Sequence, residues 1–190
     1  METEQSLSAK ESLELISDVI SKTKDNIKEN SYCFILWGWL ISSASILYFV
    51  ISKFTDFQYS FLPFPLLAGI GIILTVRYYL KHKSTNTETY FSYFLYRLWL
   101  VLGICFMAVV FINVSQKLPP FTYTMLICGI GTFVSGLVLR FTPLTLGGIL
   151  FLASAVLTIY VPTEYKVLVQ GLVIIPGYLI PGYLLKYSRS

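Results

Sequence analysis

The chain has 190 residues, of which 55% are hydrophobic and 13% charged, with a net charge of +4. Its mean hydropathy of +0.69 lies far above that of soluble domains, in which about a quarter of the residues are charged. All 12 glycines fall inside apolar runs and none in a polar connection, as is typical of helices that pack in a membrane. The composition therefore excludes a soluble enzyme and predicts an all-α, polytopic transmembrane bundle.

The first element in chain order is an amphipathic helix within residues 1-31. Ser8 and Glu11 have the spacing of a capping box, so we expect the helix to start near Ala9. An apolar stripe of this helix is a possible partner face, comprising Leu13, Ile16, Ile20 and Ile27. Residues 1-31 hold seven acidic residues against four lysines, which disfavours binding to anionic lipid. We expect a protein partner or a second subunit to bind through residues 9-28.

Six segments are long and apolar enough to cross a hydrocarbon core, which needs about 20 residues. They lie at 32-52, 61-80, 92-114, 121-140, 144-162 and 166-186, and a short tail, 187-190, follows. The break between the fourth and fifth spans, from Arg140 to Pro143, is the weakest. Without it the chain would have five spans, and its termini would lie on opposite sides.

Lysine and arginine residues indicate the orientation, because cytoplasmic loops are enriched in them. The side that carries the N-terminus holds eleven and the other side three. This bias predicts an even number of spans with both termini in the cytoplasm. The positive net charge then reflects insertion and does not indicate nucleic-acid binding.

Two arginines enter the predicted membrane zone near the inner ends of the second and third spans. With two neighbouring lysines they form a possible headgroup or anion contact, comprising Arg77, Lys81, Lys83 and Arg97. Many aromatic residues surround them. The alternative is an interfacial belt that only fixes the depth of the helices.

The sixth span repeats a five-residue unit that contains proline, glycine and tyrosine. Each proline removes a backbone hydrogen bond and clashes with the preceding turn, so we expect a kink or a local unwinding. The possible hinge comprises Pro176, Gly177, Pro181 and Gly182. A structural kink without movement is the alternative.

Small residues in the fourth span, above all Gly131 and Ser135, predict close packing of another helix. The same span resembles the second, because residues 66–71 and 126–131 match at a spacing of 60 residues. Trp37 and Trp99 follow a leucine near the start of the first and third spans. Tandem helical hairpins would explain both matches.

Chemistry-bearing residues are few. His82 is the only histidine, the three cysteines lack metal-ligand spacing, and the span interiors contain no acidic residue. We therefore predict no enzymatic activity and no cofactor. Two function classes remain: a membrane module that binds a partner through its first helix, and a small transporter or channel for a neutral or anionic solute. A water-accessible cavity reaching Gln170 and Pro176 would favour the second.

The chain resembles a group of short, uncharacterised bacterial inner-membrane proteins with six spans. The likeness rests on Ser12 to Ile16, Leu36 to Leu40, Gly147-Gly148 and Tyr178 to Leu185. It implies a location in the bacterial inner membrane, with the lipid bilayer as the first partner, and no activity.

Overall fold

The computed structural model describes the backbone of residues 9–55, 57–82 and 90–187, and the side chains of residues 31–55, 57–81 and 93–187. The described part consists of helices joined by short turns, and it contains no strand. Its helices are α1 (Ala9–Phe54), α2 (Pro63–His82), α3 (Tyr90–Ser115), α4 (Phe121–Val138), α5 (Thr142–Leu157), α6 (Lys166–Ile174) and α7 (Ile180–Tyr187). A π-helical turn, Ile175–Leu179, joins α6 to α7, and 3-10 turns lie at Thr158–Tyr160 and Thr163–Tyr165.

Six of these segments are long and apolar enough to cross a membrane, as the sequence predicts. They are Ser31–Phe54, Pro63–Lys81, Tyr93–Ser115, Phe121–Val138, Thr142–Tyr160 and Thr163–Tyr187. The five-span alternative is wrong, because α4 ends at Val138 and α5 begins at Thr142. We call the end of the bundle at which Ser31 lies the N-terminal end, and the other the opposite end.

The first helix differs from the expectation in one respect. α1 is described from Ala9 onward and runs without interruption for 46 residues to Phe54, so the expected helix start near Ala9 stays a prediction. The predicted boundary at residue 31 is therefore not a helix boundary. The physical reason is the absence of a helix breaker, since no glycine or proline occurs between Ala9 and Gly38. Ser8 of the predicted capping box lies outside the described residues.

The break between α4 and α5 is a compact helix end. Arg140 adopts a left-handed conformation with φ of 50°. Its N–H bonds to the carbonyl of Leu137, and the N–H of Phe141 bonds to that of Gly136, which is the Schellman pattern. Pro143 follows in the first turn of α5, where a proline is tolerated. The sequence signals at Arg140 and Pro143 thus mark a real turn.

Glycines let α4 and α5 pack with their backbones close together. A Cβ on Gly136 would collide with the backbone of Thr145, and one on Gly148 with that of Phe133. A Cβ on Gly129 would lie 2.8 Å from a side-chain carbon of Leu152. The two helices form the tightest pair among the described elements.

Two hairpins of the bundle share one contact. The indole ring of Trp37 in α1 lies over Gly71 of α2, and its Nε1–H donates to Thr75 at 3.1 Å. In the same way Trp99 of α3 lies over Gly131 of α4 and donates to Ser135 at 3.1 Å. The similarity predicted between the two helix pairs thus appears as a repeated packing contact. It also identifies α3 as the helix that packs on Gly131 and Ser135.

The core lies between α1, α4, α5 and the sixth span, whereas α2 and α3 are peripheral. α1 packs on α2 and on α6 and α7, α5 packs on α4 and on the π-helical turn, and α3 packs mainly on α4. The buried core residues are Phe34, Met125, Leu144, Phe151, Ala155, Ile174, Tyr178 and Leu185. Of the apolar windows of α2 and α3 only 11% and 6% is buried, compared with 28 to 50% for the other spans.

Candidate functional site

The π-helical turn Ile175–Leu179 lies at the centre of the bundle. It carries Tyr178, whose ring contacts Phe151 at 4.9 Å and Phe34 at 5.7 Å between centroids. Trp99 completes this aromatic cluster at 6.4 Å from Tyr178. Turns of this kind arise where the regular backbone pattern is interrupted, and Pro176 supplies the interruption because it has no N–H.

The predicted hinge residues lie in or next to this turn. The chain keeps a helical path there, so the expected interruption takes the form of a π-helical turn. A Cβ on Gly177 would meet the ring of Phe151, and one on Gly182 would lie 2.9 Å from Ile35. The backbone carbonyl of Gly177 in turn lies against Gly147 of α5. The segment is thus closely packed in this conformation, and movement at the hinge stays a prediction.

Polar side chains form a layer in the core, toward the opposite end from Tyr178. The Thr124 hydroxyl donates to the side-chain oxygen of Gln170 at 3.0 Å, and the Ser42 hydroxyl donates to the carbonyl of Gly171 at 2.9 Å. Ser45 is fully buried beside Gly171, and its hydroxyl has no hydrogen-bond partner among the described residues. An unsatisfied buried hydroxyl costs about 1 to 3 kcal/mol, which makes this layer a candidate for a polar ligand.

A cavity of about 370 Å³ opens at the opposite end, beyond this polar layer. Its polar rim contains an ion pair between Lys53 of α1 and Glu164, with Nζ and Oε2 3.0 Å apart. Its remaining lining is mixed, comprising Tyr48, Phe49, Ser52, Pro119, Phe121 and Thr163. Tyr48 and Phe121 contact each other at 5.7 Å between ring centroids.

The cavity does not reach the polar layer. Tyr48 and Phe121 line it, and they lie one helical turn from Ser45 and Thr124. Neither Gln170 nor Pro176 is among its lining residues. A second cavity, of about 470 Å³, lies between α1 and the sixth span, where it is lined by Ser42 of the polar layer and by Ile175, which precedes Pro176. The choice between a binding module and a transporter therefore stays a prediction.

Three of the four residues of the predicted cationic group belong to the described residues. Arg77, Lys81 and Arg97 are exposed near the N-terminal end, and Lys83 lies outside the described residues. The Arg97 guanidinium lies over the ring of Tyr93 at 5.1 Å. Tyr79 and Tyr96 touch at 6.2 Å between centroids, linking α2 to α3 at this level. Contacts with aromatic rings are compatible with both the belt and the headgroup interpretation.

The predicted partner face lies on the extension of α1. Its four residues, Leu13, Ile16, Ile20 and Ile27, are within the helix, but their side chains lie outside the described residues. Of the 46 residues of α1 the apolar span takes 24, so 22 precede it. At 1.5 Å per residue this extension is about 33 Å long.

The sequence does not predict two features of the site. The first is the cavity beside Glu164, which is formed by α1, the α3–α4 connection, the start of α4 and the start of the sixth span, and these segments are distant in the sequence. The Lys53–Glu164 pair joins residues 111 positions apart, and only their shared location at the opposite end could have suggested it. Among the described residues no cluster of histidine, cysteine or acidic side chains could hold a metal ion.

The fold and the site define the chain as an all-helical bundle with six segments long and apolar enough to cross a membrane. The chain matches no protein-family model, no curated protein and no solved structure.

Proposed function

We propose that this chain is a multi-pass protein of the bacterial inner membrane, with both termini in the cytoplasm, that acts as a non-enzymatic binding module. In this proposal residues 9-28 of α1 bind a protein partner or a second copy of the chain. The observation that carries the proposal is the unbroken helix from Ala9 to Phe54. A binding element that continues a span is held in a fixed rotation relative to the bundle.

That rotation follows from helix geometry. At 100° per residue, positions 13, 16, 20 and 27 fall within one sector about 60° wide. Positions 34, 38 and 45 fall within the same sector, and they form the face of α1 that is buried in the bundle. The apolar positions of the extension thus continue the buried face of the span beyond the N-terminal end. A partner bound there would lie beneath the bundle and not at its flank.

The remaining charges support a binding role over catalysis. Among the residues whose side chains are described, Glu164 is the one acidic residue, and it is paired with Lys53. General acid–base and metal-assisted reactions need ionisable groups that converge on one point, whereas the buried polar side chains of the described residues are hydroxyls and the amides of Asn113 and Gln170.

A pull-down from detergent tests the binding role. The variant Ile16→Asp with Ile20→Asp places two charges in the apolar sector. The control Ser21→Asp with Asn26→Asp adds the same two charges outside it. We expect specific proteins, read by mass spectrometry, to be lost with the first variant and retained with the second. Equal retention by both variants and the wild type would contradict the proposal.

Reporter fusions test the orientation separately. A reporter active only in the cytoplasm, fused to either end of the chain, should be active at both ends because of the bias in lysine and arginine. Activity of a periplasmic reporter at either end would rule out the proposed topology.

A small transporter or channel for a neutral or anionic solute is the second candidate. It is favoured by the cavity at the opposite end and by the unpartnered Ser45 hydroxyl one turn beyond its floor. In this case Gln170→Cys should react with a membrane-impermeant thiol reagent added on that side, as the exposed control Thr163→Cys should. If only the control Thr163→Cys reacts, the transporter or channel is contradicted and the binding module is the remaining candidate.

A further inference from the structure

Ten of the twelve glycines are used for close packing inside the chain. A Cβ on any of the ten would lie less than 3.0 Å from a neighbouring atom, whereas a Cβ on Gly69 or Gly103 would meet nothing within 4 Å. Gly69 belongs to α2 and Gly103 to α3, which are the two least buried spans. The two unused glycines are thus confined to the two helices that the bundle leaves uncovered.

The repeated hairpin indicates what covers a glycine at this position. Gly71 and Gly131 are equivalent, since each lies under a tryptophan, so Gly69 is the equivalent of Gly129. Gly129 is covered by Leu152 of α5, whose backbone nitrogen would lie 3.1 Å from a Cβ there. The occupant in the second hairpin is therefore an apolar helix antiparallel to α4. Among the described residues nothing occupies the same position of α2.

The chain contains one helix that fits this position. α3 is apolar, antiparallel to α2 and almost uncovered, and it carries the second open glycine. Trp99 of α3 lies at the same depth in the bundle as residues 131–135 of α4. These residues correspond to residues 71–75 of α2. Because α3 runs antiparallel to both helices, Gly103 lies near the depth of Gly69. The Tyr79–Tyr96 contact places Gly103 near residue 72, within one helical turn of that level.

We propose that α2 and α3 form the interface of a two-fold symmetric homodimer, in which α2 of one protomer packs on α3 of the other at Gly69 and Gly103. A two-fold axis along the membrane normal leaves every residue at its own depth. The Gly69 surface of each protomer can therefore contact the Gly103 surface of the other, which lies at the same depth. Because lipid tails are as apolar as the helices, the hydrophobic effect does not drive spans together in a membrane. Small residues favour association there, since they allow the backbones of two helices to pack closely. Each α2–α3 contact would then reproduce the antiparallel approach of α5 to α4.

Substitution of the two glycines tests the interface without disturbing the protomer. Since a Cβ at either position meets no atom of the described residues and leucine is a better helix former than glycine, Gly69→Leu and Gly103→Leu should leave the protomer folded, with no loss of helix content or thermal stability. Native mass spectrometry from nanodiscs and subunit exchange in liposomes measure the dimer. We expect the wild type to be dimeric, and we expect each variant to raise the dissociation constant of the dimer by about tenfold or more. Val101→Leu, also exposed on α3, is the control and should have no effect.

A disulfide provides the second measurement. Leu66 of α2 and Met107 of α3 are exposed, and each lies about one helical turn from the open glycine on the same face of its helix. In a chain that also carries Cys105→Ser, mild oxidation of Leu66→Cys with Met107→Cys should yield a covalent dimer on a non-reducing gel, in which the thiol at position 66 is bonded to the thiol at position 107 of the other protomer. A chain that carries only one of these two cysteines should not form this product.

The proposal rests on the membrane placement proposed above, and the two failures are distinguishable. A chain absent from the membrane fraction would contradict the placement. A membrane-embedded wild type that is monomeric on dilution, with lipid alone on α2 and α3, would overturn the homodimer. A wild-type dimer that both leucine variants leave unchanged, or a complex with a different membrane protein at these glycines, would overturn it as well.

Discussion

The indole N–H of Trp99 donates to the hydroxyl of Ser135 at 3.1 Å, joining α3 to α4. Trp37 makes the same bond to Thr75 at 3.1 Å between α1 and α2. The two bonds differ in their surroundings, because Ser135 is fully buried and Thr75 only partly. This difference allows one hairpin to serve as the control for the other.

We expect Trp99→Phe to lower stability more than Trp37→Phe. Each change removes a hydrogen bond between spans, with an average contribution of about 0.6 kcal/mol. In Trp99→Phe the Ser135 hydroxyl is in addition left buried without its donor, which costs about 1 kcal/mol or more. The measurement is the free energy of unfolding in mixed micelles. If the two variants lose the same free energy of unfolding, the deeper burial of Ser135 does not matter and the prediction is wrong.

The close approach of α4 and α5 gives a second prediction. Gly148→Ala should destabilise the bundle by about 1 to 3 kcal/mol, because the added methyl group meets the backbone of Phe133. Gly103→Ala is the matched control, since its methyl group meets nothing. At Gly103, alanine is also a better helix former than glycine by about 1 kcal/mol. Alanine is itself one of the small residues found at contacts between spans, so this control should not lose stability. Thermal unfolding in detergent compares the two, and a loss of stability in both would show that the α4–α5 contact is not special.

The end of α3 gives a third prediction. Lys117 has a φ of 58°, a conformation that costs a residue other than glycine about 1 to 2 kcal/mol. Lys117→Gly should remove this cost, offset by about 0.5 to 1 kcal/mol from the greater freedom of glycine when unfolded. The net gain of about 0.5 to 1 kcal/mol should raise the unfolding temperature by about 1 to 4 °C.

Gln116→Gly is the control for this substitution. Gln116 precedes the left-handed residue and is not among the residues with positive φ, so glycine there brings only the entropic cost. We expect a lower unfolding temperature for Gln116→Gly. A decrease for both variants would mean that Lys117 is not strained.

The sequence could predict the spans because each depends on local properties. Length and hydropathy define the six segments, and Arg140 with Pro143 marks the turn between α4 and α5. The matching residues around Gly71 and Gly131 also indicated the repeated hairpin, since equal contacts require similar residues at equal spacing. These signals are carried by residues that are close in the chain.

The remainder depends on how distant segments pack. A polar amphipathic helix and a following span can be separate or continuous, and the lack of glycine and proline between Ala9 and Gly38 permits a continuous helix without requiring one. Pro176 and Gly177 predict an interruption, but its form as a packed π-helical turn follows from Phe151 and Gly147 on α5. The exposure of α2 and α3 and the cavity beside Glu164 likewise arise only from the assembled bundle.

The central claim is that α1 holds its apolar positions in a fixed rotation relative to the bundle, and the most direct test changes that rotation alone. Two alanines inserted between Asn30 and Ser31 turn residues 9–30 by about 200°, whereas four turn them by about 400°, or 40° from the original position. We predict that partner capture is lost with the two-residue insertion and kept with the four-residue insertion. Equal capture by both variants would contradict the claim.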